Sequence, residues 1–267
     1  GAFFAAPRLV GVGGPDFPHG EVAMLKARGI DVSGLEVVEG ETFHWEGRYA
    51  PDLTSRVGLK AELNVFAEFH PNIPEAFRDT PLVMLGNIHP DLQLEVLDQM
   101  RDPKLVIADT MNFWIDGTPD RLAKMLERID VLVINEEEAR QLAGIYTIVE
   151  VDNAINSMGR RIAVIKRGGF GVLLFEGDDV FSAPAYPVRR VLDPTGAGDS
   201  FAGGMLGYVA REGKTDHDTL RRAIIYGSAL ASFCVEGVSV ERLTAVTPAD
   251  VDARYRAFAS LARFDSR

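Results

Sequence analysis

The chain has 267 residues, 46% of them hydrophobic and 25% charged, with a formal net charge of −11 at pH 7. This length supports one large α/β domain with a substantial core, and the acidic balance excludes a general nucleic-acid binder because no broad basic surface is available for a phosphate backbone. A single cysteine, Cys234, excludes an intrachain disulfide and a multi-cysteine zinc site, and no apolar run reaches membrane-spanning length, so a reducing cytoplasm is the expected compartment.

Residues 8–13 form a short apolar run that predicts a buried strand, followed by a helix over 19–28 that Gly29 stops. Over 35–49 the pattern alternates, with Thr42, His44, Glu46 and Arg48 on one side and Phe43, Trp45, Gly47 and Tyr49 on the other, which predicts a half-exposed strand or hairpin. Residues 59–70 continue that excursion, and Pro71, Pro74 and Pro81 punctuate the return. From there the rhythm is regular: strand 82–85, helix 90–100, strand 104–108, helix 118–127, strand 130–134 and helix 136–143. Short connections between them predict a parallel sheet covered by helices. Ligands of such sheets gather beyond the C-terminal strand ends, which here are Gly86-Asn87, Asp109 to Asn112, and Asn135 to Glu138.

Asn135 and Glu138, taken alone, fit a helix N-cap with its reciprocal partner. Residues 162–166 predict a strand that ends in Lys166-Arg167-Gly168-Gly169-Phe170-Gly171, with a second strand to Phe175, a pattern equally suited to a glycine hairpin with a basic tip. A long apolar helix follows over 217–235, holding Cys234 as a buried, unreactive thiol. Thr247-Pro248 opens a final helix over 248–262. His19, His44, His70 and His217 show no paired metal spacing, and His89 reads as a loop histidine.

The most informative stretch is 193–204, where Thr195, Gly196, Ala197 and Gly198 make a small-residue turn into a helix beginning near Asp199, with Phe201, Leu206 and Val209 as its packing face. A helix N-terminus carries free N–H groups and partial positive charge, so a turn without bulky side chains admits a phosphoryl group. Asp199 then stands where a general base belongs. The plainer reading makes Asp199 a first-turn acid and the glycines a loop. Gly203, Gly204 and Gly207 favour the first, since each costs about 1 kcal/mol against Ala inside a helix and so predicts close approach to a ligand or to the sheet. Other phosphate loops are excluded: Tyr208 stands where a Walker motif ending in Gly213-Lys214-Thr215 needs its first glycine, and Asp16 occupies the last glycine position of a dinucleotide fingerprint starting at Gly11.

Asp193-Pro194-Thr195-Gly196-Ala197-Gly198-Asp199-Ser200-Phe201-Ala202-Gly203-Gly204 resembles the C-terminal signature of the ribokinase or PfkB family of carbohydrate and nucleoside kinases. The resemblance implies an α/β ribokinase-like fold, a mostly parallel central sheet flanked by helices, with a small β lid over about 36–72. It implies ATP-dependent phosphoryl transfer to a sugar hydroxyl, with a nucleoside acceptor or a non-catalytic sugar- or nucleotide-binding regulator as alternatives. Asp199 would be the base and the backbone of Gly196, Ala197 and Gly198 the anion hole. Asn135 would lie near the nucleotide phosphates and Glu138 would help hold hydrated Mg²⁺, while Lys166, Gly168, Gly171, Thr195 and Gly237 would border the nucleotide. Asp16 and Asn112 fall at acceptor-side positions, although Asn112 and Asp109 also suit a stabilised turn. Pro15 departs from the family's Gly-Asp-Asp turn, and the family's initial strand and Gly-Gly segment would precede residue 1. A monovalent cation near Asp193 and Thr195, a homodimer through the lid, and no nucleic-acid or membrane partner complete the expectations.

Overall fold

The computed structural model describes residues 1–51, 53, 56–157, 162–261 and 263. Residues 52, 54 and 55 of the expected lid and residue 262 of the expected final helix lie outside the described residues.

The chain opens with β1 (Arg8–Gly13), α1 (His19–Ala27) and β2 (Asp31–Val37), and β1 and β2 pair in parallel. An antiparallel hairpin of β3 (His44–Tyr49) and β4 (Arg56–Glu62) follows. The alternation read across 35–49 therefore spans two strands, because residues 35–37 finish β2 and the lid hairpin begins at β3. The Asp16 carboxylate causes the break: it accepts from the Thr42 N–H at 2.9 Å and from the Thr42 hydroxyl at 2.7 Å, tying the connecting turn to the end of β1. Two short 3₁₀ turns, Asn64–Glu68 and Glu75–Phe77, lead to the main sheet.

That sheet has six strands in the order β10-β9-β8-β7-β6-β5. Its elements are β5 (Leu82–Leu85), α2 (Pro90–Gln99), β6 (Leu105–Ala108), α3 (Asn112–Gly117), α4 (Pro119–Leu126), β7 (Val131–Asn135), α5 (Glu136–Ala143), α6 (Ile148–Ser157), β8 (Ile162–Lys166), β9 (Val172–Glu176) and β10 (Asp179–Ala183). Strands β5 to β8 are parallel, and β9 and β10 continue antiparallel. The chain ends with α7 (Ala197–Glu212), α8 (His217–Cys234), α9 (Glu241–Ala245) and α10 (Pro248–Leu261).

Strand β7 shows why the parallel strands read as continuous apolar runs: it is covered on both faces. Val131 and Val133 pack with Met205, Leu220 and Ile224 of α7 and α8. Leu132 and Ile134 point the other way, toward Leu122, Met125 and Ile155 of α4 and α6. Phe201 and Val209 of α7 are buried in the first of these cores, with Leu206 half-buried against it.

The three interior glycines of α7 face a neighbouring helix and the first residues of the chain. A Cβ on Gly204 would stand 3.1 Å from Gly227 Cα of α8, and one on Gly207 would stand 2.7 Å from Gly1 Cα. Gly203 likewise faces Gly1. The missing side chains let α8 and the first residues of the chain lie against the α7 backbone.

Candidate active site

Because β5 to β8 are parallel, their C-terminal ends share one edge of the sheet, and the polar residues expected there stand side by side. Asn135 and Lys166 are direct register partners at the ends of β7 and β8. Asp109, just past β6, is tied in by its N–H to Leu85 O at 3.1 Å. Gln93 of α2 crosses between β5 and β6, donating to Gly86 O at 2.8 Å and to Asp109 O at 3.0 Å. Such contacts fix the edge before any ligand arrives.

Lys166 Nζ lies 3.4 Å from Asp109 Oδ2, with both side chains largely buried. Burial pushes the Asp109 carboxyl above its ordinary range, the Lys166 ammonium pulls it back, and the negative charge of Asp199 adds to the rise. Asp109, Lys166 and Asp199 thus form one electrostatic cluster. The ammonium also reaches the start of α7: a Cβ placed on Gly198 would stand only 3.2 Å from Lys166 Nζ.

Helix α7 begins on an unusual cap. Gly196 has φ 78° and ψ 0°, a left-handed conformation that glycine adopts without strain, and no side chain caps the helix. Ala197 N–H donates to Pro194 O and Ser200 N–H to Gly196 O, while the N–H groups of Gly198 and Asp199 have no protein acceptor among the described residues. Asp199 is exposed, and no hydrogen bond or ion pair engages its carboxylate among the described residues. Thr195, in the turn itself, is held on both sides of its backbone. Its N–H donates to Asp193 Oδ1 at 2.8 Å, and its carbonyl accepts from Cys234 Sγ at 3.5 Å. Cys234 is buried as expected, with its thiol pushed up by desolvation, yet it backs this turn rather than a remote core.

Asn135 and Glu138 form a complete capping box. Asn135 Oδ1 accepts from Glu138 N–H at 2.8 Å, and Glu138 Oε2 accepts from Asn135 N–H at 2.9 Å. Glu138 is buried, and part of its accepting capacity is spent on the helix start. Gly168 and Gly171 close a one-turn loop between β8 and β9. At φ 93°, Gly171 lies so close to the Ala183 carbonyl of β10 that any side chain would collide with it. Arg167 turns to Glu136, with Nε at 2.8 Å from Oε2. Gly237 lies in the turn just past α8, its N–H on Cys234 O at 3.2 Å and Arg242 packed where a Cβ would be.

Two further residues expected on the acceptor side, Asp16 and Asn112, are exposed. Asp16, held below the usual carboxylate range by the Thr42 hydroxyl, lines an open cleft of about 580 Å³ at the foot of the lid with Phe17, His44, Lys60 and Asn64. No α7 residue lines that cleft. Asn112 is exposed at the start of α3 and accepts from Phe113 N–H at 3.0 Å. Sequence reasoning missed the Asp109–Lys166 pair and a bond from the lid, in which the Thr195 hydroxyl donates to Tyr49 Oη at 3.1 Å. Their residues were separately visible, at strand ends and on the alternating lid face, but nothing local pairs them.

The family described as pfkB family carbohydrate kinase matches residues 8–244. The chain belongs to that family. This PfkB chain is therefore a phosphotransferase of an ATP-using kinase family. It is 28% identical over 203 residues to the cytidine kinase of Thermococcus kodakarensis, covering 74% of this chain and 72% of that protein. It is 31% identical over 169 residues to the ribokinase of Arabidopsis thaliana, covering 61% of this chain and 42% of that protein. Among solved structures, an Escherichia coli protein described as a ribokinase II, in complex with ATP and Mg²⁺, superposes with TM-score 0.79 at 19% identity, covering 96% of this chain and 85% of that one. The ribokinase-like fold is thus shared. No described helix is long and apolar enough to cross a membrane.

Proposed function

We propose that this PfkB chain transfers the γ-phosphoryl group of ATP to a hydroxyl of a small sugar, with Asp199 as general base and the N–H groups at the start of α7 as anion hole. One observation carries the reading. An unengaged carboxylate stands on the first turn of a helix whose Gly198 and Asp199 N–H groups lack protein acceptors, with Lys166 Nζ beside them. Phosphoryl transfer needs positioning and charge stabilisation more than covalent help. The α7 N–H groups and the Lys166 ammonium meet the charge on the transferring phosphoryl group. Asp199 takes the proton of the acceptor hydroxyl as its oxygen bonds to phosphorus.

Magnesium fits this edge as an ion carried mainly by the nucleotide. No three His, Cys, Asp or Glu side chains converge on a metal position among the described residues, and Mg²⁺ keeps several waters with few direct carboxylate ligands. Glu138 and Asn135 would hold it from the end of β7, through water where the capping box occupies their oxygens. When bound, the ion neutralises charge on the β- and γ-phosphates.

A nucleoside is the second acceptor reading, supported by the likeness to a cytidine kinase across 74% of the chain. ADP release from Mg-ATP against pentoses, hexoses and nucleosides separates the two. Turnover with one acceptor class supports the kinase and names the substrate class. ATP binding without ADP release on any acceptor would favour a sugar- or nucleotide-binding regulator.

A further inference from the structure

The lid reaches the anion-hole turn through one polar contact. Tyr49 is the last residue of β3, and its phenol oxygen accepts from the Thr195 hydroxyl across 146 residues of sequence. Thr195 is otherwise anchored through its backbone, by Asp193 in front and Cys234 behind, so its side chain is the part of the turn left to meet another element. The approach from the lid is built for this contact. Trp45, Gly47 and Tyr49 alternate onto one side of β3, the Trp45 ring lies where a Gly47 side chain would stand, and Gly58 faces Gly47 across the hairpin. This flat aromatic strip ends at Tyr49, and Tyr49 ends at Thr195.

We propose that Tyr49 is a positioning residue that makes lid closure and the setting of the anion-hole turn a single event. The inference rests on the kinase reading above and deepens it. Thr195 directly precedes Gly196, whose left-handed conformation starts α7, so a restraint on Thr195 is a restraint on the N–H groups that follow. With the hairpin down, the Tyr49 hydroxyl fixes the Thr195 side chain. With the hairpin up, Thr195 keeps only its two backbone anchors.

The test uses Tyr49→Phe, Thr195→Val, the double variant and Thr195→Ser in the full chain, with two readouts. Hydrogen exchange of residues 44–62 needs no substrate. It should run about five-fold faster in Tyr49→Phe and in Thr195→Val, the factor one neutral hydrogen bond is worth, and no faster in the double variant. Thr195→Ser, which keeps the hydroxyl, should match the wild type. Unchanged lid exchange in Tyr49→Phe, or effects that multiply in the double variant, would overturn the coupling whether or not an acceptor has been found.

In turnover, Tyr49→Phe should lower kcat about five-fold with the KM for ATP within about two-fold, again without additivity to Thr195→Val. Faster lid exchange with unchanged kcat would also overturn the proposal, because the latch would then exist without acting on the turn. A wild-type chain that phosphorylates nothing would refute the kinase reading alone, since lid exchange still decides whether Tyr49 and Thr195 are coupled.

Discussion

The two ends of this molecule are built differently. The phosphate end, at the C-terminal edge of β5 to β8 and the start of α7, rests on a sheet whose β7 residues Val131 to Ile134 are fully buried on both faces. Its polar groups are fixed by neighbours: Asp109 by Lys166, Asn135 by Glu138, Thr195 by Asp193 and Cys234. The lid end is a two-stranded hairpin with no buried residue described in β3, and Val57 and Leu59 of β4 are exposed. An isolated hairpin is marginally stable in water. The contrast suits an enzyme that keeps the electrostatics of phosphoryl transfer preorganised and leaves the acceptor side free to move.

The contrast can be broken at its strongest point first. Lys166→Met should raise the KM for ATP about ten- to a hundred-fold, the range of a lost hydrogen bond to a charged group, with lid exchange unchanged. An unaltered ATP KM in steady-state kinetics would remove Lys166 from the phosphate end.

Packing sharpens the comparison next. In Gly227→Ala the new Cβ would stand 2.7 Å from the Phe201 carbonyl, a backbone atom that cannot yield, so unfolding in urea should show a loss of about 1–3 kcal/mol. Gly58→Ala on the lid meets only Trp45 Nε1 at 3.6 Å, and its stability should stay within about 0.5 kcal/mol. Equal costs at the two sites would dissolve the distinction between a rigid and a yielding end.

Glu138→Gln separates capping from metal binding, because a glutamine oxygen can still accept from the Asn135 N–H while the charge is gone. The thermal midpoint should hold while the Mg²⁺ requirement for turnover rises about ten-fold. An unchanged Mg²⁺ titration would leave Glu138 as a helix cap alone.

The smallest effect concerns pH. His217, at the start of α8, bridges Asp179 of β10 and Glu176 of β9, and these carboxylates, Asp179 first, hold its pKa above the ordinary value. A raised folded-state pKa means that the contribution is fully present below the unfolded value of about 6.5 and is lost as pH rises through the folded value. Thermal melts of His217→Gln should therefore fall below wild type near about pH 5.5 and converge with it near about pH 9. A gap that widens with pH would contradict the sign.

What the sequence disclosed follows from the range of the forces involved. The continuous apolar runs of β5 to β8 and the Asn135–Glu138 spacing are local signals, and the structure carries both. Helix α6 lies in a stretch whose signals were legible but not read, since Ile148, Val151 and Ile155 have helical spacing and Thr147 and Glu150 fit a helix start. β10 was missed because most of it is exposed: only Ala183 is buried, and Phe181 is half-buried. The contacts that join the site are long-range, 57 residues for Asp109 to Lys166 and 146 for Tyr49 to Thr195. No periodicity encodes those distances. The glycines of α7 were legible as a demand for close approach, but what approaches is another helix and the first residues of the chain.

The central claim is that Asp199, rather than its electrostatic neighbour Asp109, takes the acceptor proton. Turnover of Asp199→Asn and Asp109→Asn on the same acceptor tests it most directly. Asp199→Asn should lower kcat about 10²–10⁴-fold with the KM for ATP within about three-fold, and Asp109→Asn should lower it less than about ten-fold. Turnover retained by Asp199→Asn, or a larger loss in Asp109→Asn, would contradict the account.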